Sequence, residues 1–161
     1  DLFQATYFRC RAEILRASSE IPILYSENMS LGINLMNAFL KKLALELKGA
    51  EIEIIETHHD QKKDAPSGTA LFLAREMQGQ REGCKIVEGV REKKSDIAIH
   101  SLRLGREKGT HSVIFSSELE RLEITHVAGD RRLFALGAIR AAEFLLAKAP
   151  GLYSMEDVFK A

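Results

Sequence analysis

Between Glu56 and Ala70 the chain reads ETHHDQKKDAPSGTA. Two adjacent imidazoles, His58 and His59, are followed closely by Lys62 and Lys63 and then by a Pro-Ser-Gly-Thr run. An imidazole titrates near neutral pH and can give or take a proton. The first N–H groups of a helix attract a carboxylate or a phosphate. Pro66 suits a turn or a first helical position, and Ala65 before it is steered toward extended backbone. Gly68 lets a ligand approach the main chain, while Ser67 and Thr69 offer hydroxyls. Together these parts describe a compact site for a small anion. Each part also has an ordinary reading: polar residues leaving a strand, a solvated charged loop, an N-cap. Residue types alone leave both readings open.

Other chemistries find less support. A P-loop needs Gly-Lys-Ser/Thr, and Gly68 is followed by Thr69 with no lysine. A zinc site favours HxH, HExxH or paired cysteines, so no metal is expected. A nucleophile elbow of the GxSxG kind is absent from the sequence. The remaining histidines, His100, His111 and His126, fall in strand-like runs and read as hydrogen-bonded sheet residues rather than ligands.

The elements that must position the stretch are legible on both sides of it. AEIEIIET (50–57) alternates and is rich in branched residues, which predicts a strand running straight into His58. Side chains alternate across a strand, so His58 and His59 must diverge at its end. SGTALFLAREMQ predicts a helix from about Ser67 to Gln80, with Leu71, Ala74, Arg75 and Gln78 on helical spacing. Upstream, IPILYS (21–26) reads as a buried strand. Leu31, Leu35, Met36, Phe39, Leu40, Leu43, Ala44 and Leu47 form a helical stripe, with Ser30 as N-cap and Gly49 at C′. Residues 9–19 suggest a short helix, and 81–95 a mobile loop or short edge strand. Strands are expected at 96–104, 111–117 and 121–127, the first two joined as a hairpin by GREKG. A helix over 131–150 stops at Pro150-Gly151, and the tail adds a further turn. The order predicts an α+β fold, a mixed four-stranded sheet with helices on one face. The other face would need a partner, which points to oligomerisation through the sheet.

The bulk numbers agree with one ordinary domain or one domain plus part of another. The 161 residues are 45% hydrophobic and 29% charged, with 23 basic against 23 acidic residues. No global field draws such a chain to nucleic acid or to an anionic membrane. Cys10 and Cys84 lack CxxC spacing and read as reduced thiols, and no apolar run approaches membrane-spanning length. A soluble, cytoplasmic protein is the expectation. The chain begins at Asp1 rather than Met, which leads to the expectation of a processed or trimmed start.

HHDQKKDAPSGTA resembles the HHxxKxDAPSGTA signature of the dihydrodipicolinate reductase (4-hydroxy-tetrahydrodipicolinate reductase) family. NMSLGIN (28–34), SLRLG (101–105), GTHSVIF (109–115), RLEITHVAGDR (121–131), FALGAIRAA (134–142) and GLYSMEDV resemble further family segments in family order. The resemblance runs from about Ile21 to the C-terminus. It implies reduction of a cyclic unsaturated dicarboxylate by NADH or NADPH in the diaminopimelate and lysine route, by a homotetramer. It implies that His58 is the general acid and that Lys62 assists protonation. His59, Ser67, Gly68, Thr69 and Arg131 would contact substrate. Ser26, Glu27, Asn28 and Met29 would lie along the nicotinamide end of the cofactor.

The sequence departs from the family pattern in one large respect. It has no strand–glycine turn–helix unit of the GxxGxxG kind and no GTTG stretch before Ile21, where residues 1–9 read DLFQATYFR. Glu27 stands where a small residue is common, and GREKG is unusually charged. The expected organisation is a remnant of a Rossmann-type nucleotide domain at 1–29, a substrate-binding and oligomerisation domain at 30–130, and a C-terminal helix and tail at 131–161 that packs on the nucleotide domain. Such a chain would not bind NAD(P)H tightly or turn over by itself. The alternatives are a non-catalytic oligomeric dicarboxylate-binding domain and a structural assembly module.

Overall fold

A computed structural model describes the backbone of residues 2–160 and the side chains from Cys10 to Lys160. Asp1 and Ala161, which end the first and last of the expected segments, lie outside the described residues. Helix α1 (Leu2–Ser18) leads to strand β1 (Pro22–Leu24) and helix α2 (Leu31–Glu46). Strand β2 (Glu51–His58), helix α3 (Gly68–Gln78), strands β3 (Ile86–Glu88), β4 (Ile97–Arg103), β5 (Thr110–Ser116) and β6 (Arg121–Val127) follow. Helix α4 (Arg132–Leu145), strand β7 (Gly151–Tyr153) and helix α5 (Met155–Phe159) complete the order. The helix foreseen at 9–19 thus begins much earlier, and the charged 81–95 region carries an edge strand.

The α+β class is as expected, but the sheet has five strands, ordered β3-β4-β2-β5-β6, the short β3 extending the four foreseen. β3, β4 and β2 are parallel, and β2, β5 and β6 are antiparallel. A second, two-stranded parallel sheet pairs β1 with β7.

The expected hairpin between β4 and β5 does not form, because β2 lies between them and pairs with both. Ile52 and Ile54 of β2 are fully buried, and a central position gives that apolar strand a neighbour on each side. The 104–109 segment instead crosses the C-terminal end of β2. Leu104 N–H donates to the His58 carbonyl at 2.8 Å, and Asp60 N–H to the Gly105 carbonyl at 3.2 Å. Gly105 and Gly109, at φ of +50° and +148°, provide the bends this path requires.

Strand register sets side chains in rows across the helix-covered face. Ile97, Ile52, Phe115 and Leu122 form one row, and Ile99, Ile54, Val113 and Ile124 the next. Helices α2 and α3 close over them with Ile33, Met36, Leu40 and Ala44 and with Ala70, Leu73, Ala74 and Met77. These faces are rotated from the stripes read in the sequence: Leu35 and Phe39 are exposed, while Asn34 and Asn37 point inward. Asn34 tolerates burial because its amide donates to the Asn28 and Ser30 carbonyls at 2.7 and 2.8 Å. Ser30 caps α2, accepting from Ile33 N–H at 3.2 Å, whereas Gly49 does not adopt the left-handed C′ conformation.

Candidate active site

The third row on the same face is polar: Ser101, Glu56, His111 and His126. The alternation that buries Ile52 and Ile54 forces Glu56 inward as well, and its side chain has no solvent exposure. A buried carboxylate is costly unless donors surround it. Four do so. Oε1 accepts from Arg103 Nη2 at 3.0 Å and from Ser67 N–H at 3.2 Å. Oε2 accepts from Arg103 Nη1 at 3.1 Å and is bonded to His58 Nδ1. Burial by itself would push the Glu56 carboxyl up, but the hydrogen bonds from Arg103, Ser101 and His58 outweigh it and hold the group below its ordinary value.

His58 leaves β2 on the same face, two residues beyond Glu56. Its ring meets that of His111 edge-on, with centroids 5.2 Å apart at 76°. A side chain at Gly109 would come within 3.1 Å of His58 Nε2, so the glycine keeps that nitrogen clear. His111 is buried, and its Nε2 is bonded to Ser67 Oγ at 3.0 Å. Burial first, and then the neighbouring His58, push His111 down to about 4, so this imidazole is neutral at pH 7. His59 lines a recess with Asp60, Gln61, Gly105 and Arg106.

The connecting loop is fastened by the same arginine. Arg103 Nε donates to the Lys62 carbonyl at 3.3 Å and Nη2 to the Asp64 carbonyl at 2.6 Å. The Lys62 ammonium pairs with both oxygens of Asp64, at 2.8 and 2.7 Å. That bond holds the Asp64 carboxyl below its usual range. The chain then enters α3 through Ser67, whose Oγ accepts from Ala70 N–H at 3.2 Å. Gly68 is exposed with open space beside it, and Thr69 is half-buried.

Asn28 ties the 26–29 segment to the start of α3. Its Nδ2 donates to Thr69 Oγ1 at 3.0 Å, and its Oδ1 accepts from Ser30 N–H at 2.8 Å. Ser26 Oγ donates to the Asn28 carbonyl at 2.8 Å, and Glu27 pairs with Arg75. Met29 lies where α4 crosses: a Cβ on Gly137 would overlap the Met29 carbonyl. Arg131 is exposed at the start of α4. Its loop is tied to the site through Ala128 N–H, which donates to the Gly109 carbonyl at 2.8 Å.

The structure therefore joins His58, Ser67 and Lys62 through Glu56 and Arg103, and joins Asn28 to Thr69. Glu56, Arg103 and His111 were not singled out from the sequence as site residues. For Glu56 and His111 the signal was parity, since each is a polar residue on the face that its strand otherwise buries. Arg103 carries no such signal, because β4 buries Ala98 on one face and exposes Ser101 on the other. The 26–29 segment, Ser-Glu-Asn-Met, carries no glycine-rich turn for a pyrophosphate. The polar side-chain groups of Ser26, Glu27 and Asn28 are engaged within the chain. Among the described residues, no group of three or more His, Cys, Asp or Glu side chains could hold a metal ion, and no helix is long and apolar enough to cross a membrane.

Comparison with known proteins gives a consistent match. Residues 32–159 match the family described as dihydrodipicolinate reductase, C-terminus. Curated relatives named 4-hydroxy-tetrahydrodipicolinate reductase include one from Brachyspira hyodysenteriae, 47% identical over 91% of this chain and 66% of its own length. Another, from Caldanaerobacter subterraneus, is 45% identical over 89% of this chain and 60% of its own. A third, from Methanosarcina barkeri, is 44% identical over 86% and 54%. The chain thus spans between about half and two thirds of the length of these relatives. Among solved structures, a dipicolinate-bound dihydrodipicolinate reductase from Paenisporosarcina sp. TG-14 superimposes with a TM-score of 0.70. It is 27% identical and covers 83% of this chain and 53% of its own.

Proposed function

Because the chain belongs to the dihydrodipicolinate reductase family, we propose that it carries the substrate-binding and proton-donating half of a 4-hydroxy-tetrahydrodipicolinate reductase. The observation that carries this reading is the convergence of His58, the Lys62 loop and the start of α3 on one ion pair, the buried Glu56 and Arg103. In this reading the substrate is a small cyclic dicarboxylate. Its carboxylates are held by the start of α3 at Gly68 and Thr69, by His59, and by the cations of Lys62 and Arg131. Reduction of a conjugated ring leaves carbanion or enamine character one atom away, which a positioned acid must protonate. His58 donates that proton from Nε2, and Lys62 balances charge beside it. A reduced nicotinamide, NADH or NADPH, supplies the hydride. In this reading Ser26, Glu27, Asn28 and Met29 lie along its nicotinamide end.

The same reading makes residues 1–29 and 131–161 the parts that adjoin the nucleotide-binding unit, and makes the protein a cytoplasmic enzyme of lysine and diaminopimelate biosynthesis. It also makes the protein a homotetramer assembled through the sheet. The face away from α2 and α3 presents Ile55 and Ile114. Beside them stand the His100–Glu53 pair at 2.7 Å and the Ser112–Thr125 pair at 2.7 Å.

Calorimetry with pyridine-2,6-dicarboxylate and with NADH tests the reading. The chain should bind the dicarboxylate, and binding should weaken in His59→Ala. In a full-length reductase carrying these residues, His58→Gln with Lys62→Ala should abolish reduction; surviving activity would overturn the assignment. Dicarboxylate binding with no reduction in any length of protein would favour the non-catalytic binding domain instead.

A further inference from the structure

We propose that Glu56 is the positioning residue that fixes which ring nitrogen of His58 carries its proton, and that Arg103 and the Ser67 N–H hold Glu56 in that role. The catalytic consequence rests on the reading of His58 as the acid; the assignment of the proton does not.

An ionised carboxylate accepts and cannot donate. Both Glu56 oxygens face donors from Arg103, so protonating either one would set donor against donor. The His58 nitrogen bonded to Oε2 must therefore carry hydrogen. In neutral imidazole the other nitrogen, Nε2, is then a bare acceptor, and in imidazolium both nitrogens donate. Nε2 is the atom left clear above Gly109. An acid that releases its proton from Nε2 passes from imidazolium to the Nδ1–H tautomer, and Glu56 stabilises both forms without moving. No ring flip is needed between the loaded and spent states. His111 completes the arrangement: it stands edge-on to His58, remains neutral, and is anchored by Ser67, which also supplies a donor to Glu56.

The geometry specifies how an isosteric amide would fail. In Glu56→Gln one carboxylate oxygen becomes an NH2 group. Both guanidinium nitrogens keep a backbone acceptor, Leu102 for Nη1 and Asp64 for Nη2. The buried Ser67 N–H depends on the Oε1 position, so the amide oxygen settles there and the NH2 faces His58 Nδ1. The neutral ring can answer only by accepting, which moves its proton to Nε2. Imidazolium, with hydrogen on both nitrogens, is excluded.

Nitrogen-15 NMR of the imidazole rings in the intact chain reads this directly. The wild type should show His58 as the Nδ1–H tautomer at high pH, and Glu56→Gln should convert it to Nε2–H. A wild-type Nε2–H tautomer, or a folded Glu56→Gln chain that keeps Nδ1–H, would overturn the proposal. The wild-type measurement decides the matter even if the amide variant does not fold. In a full-length reductase, Glu56→Gln should lower kcat on the order of 10⁴-fold, the loss seen when an orienting carboxylate is amidated in a serine-hydrolase triad. KM should change little, and Glu56→Asp should recover part of kcat. An unchanged kcat in a variant whose tautomer has switched would refute the positioning role. An inactive full-length wild type with the expected tautomer would count against the reductase reading and leave the Glu56–His58 pair standing.

Discussion

Arg103 grips the buried Glu56 carboxylate with both ends of its guanidinium, Nη2 to Oε1 at 3.0 Å and Nη1 to Oε2 at 3.1 Å. The two residues are far apart in sequence and meet because β2 and β4 run parallel in register, with Glu56 beside Ser101 and His58 beside Arg103. The pair does more than neutralise a charge. The same guanidinium reaches the Lys62 and Asp64 carbonyls, so the strand end and the loop that follows it share one anchor.

Removing that anchor should therefore act on both. Arg103→Met leaves a buried carboxylate without its cation, which typically costs 3–5 kcal/mol. About 3 kcal/mol is expected here, because Arg103 is 20% exposed and water can partly replace it. Urea denaturation should show a lower midpoint at an unchanged m-value, and limited proteolysis should find the 60–66 loop newly accessible. Arg103→Lys keeps the charge and loses the fork, so it should recover only part of the stability.

How much of this could be read from the sequence depends on the range of the signal. The strand into His58, the helix starting near Ser67 and the Ser30 cap of α2 are local patterns, and they were legible. The neighbours of β2 are not local. Charged GREKG looked like a hairpin turn, and nothing in its composition says that another strand passes between its ends. Glu56 shares its parity with Ile52 and Ile54 rather than with Glu51 and Glu53, which marks it as a buried carboxylate in search of a partner. Identifying that partner as Arg103 requires the register. The rotation of the α2 face has another origin: Asn34 turns inward onto the Asn28 and Ser30 carbonyls, six and four residues before it, a polar capping pattern that hydrophobic spacing does not express.

His111 makes stability depend on pH in a definite direction. Its folded value, about 4, lies below the ordinary 6.5 of an unfolded histidine. Between these values the unfolded chain binds the extra proton, so stability is full above about pH 6.5 and is lost as pH falls toward 4. Burial, His58, His126 and Lys62 oppose protonation and Glu56 favours it, and the balance corresponds to about 3 kcal/mol. The Tm should drop as pH is lowered from about 7.5 to about 4.5. His111→Gln, which cannot titrate, should show a smaller drop; equal drops in the two proteins would contradict the assignment.

Gly137 should admit no larger residue. α4 passes so close to the 28–31 segment that a methyl group there would overlap the Met29 carbonyl oxygen, a backbone atom with no rotamer to change. Gly137→Ala should force α4 outward and destabilise by about 1–3 kcal/mol or more, despite the gain in helix propensity. The displacement should also disturb Asn28 and hence its bond to Thr69. Hydrogen exchange at the first turn of α3 should rise in the variant, although the substitution lies on a different helix.

Gly109→Ala separates space from strain at the site. The φ of +148° at Gly109 is one that residues bearing a Cβ rarely adopt, so the substitution carries a backbone cost of about 1–3 kcal/mol. The added methyl would also stand 3.1 Å from His58 Nε2, the nitrogen proposed to deliver the proton. Its loss of stability should be modest and its loss of function large: calorimetry should show weakened binding of pyridine-2,6-dicarboxylate, and a full-length reductase should lose kcat. Gly83→Ala is the control. Gly83 has a positive φ of +71° but open space around its missing side chain, so that variant should show the strain without the functional loss. Equal effects of the two substitutions on binding would mean that Nε2 does not need the room Gly109 leaves it.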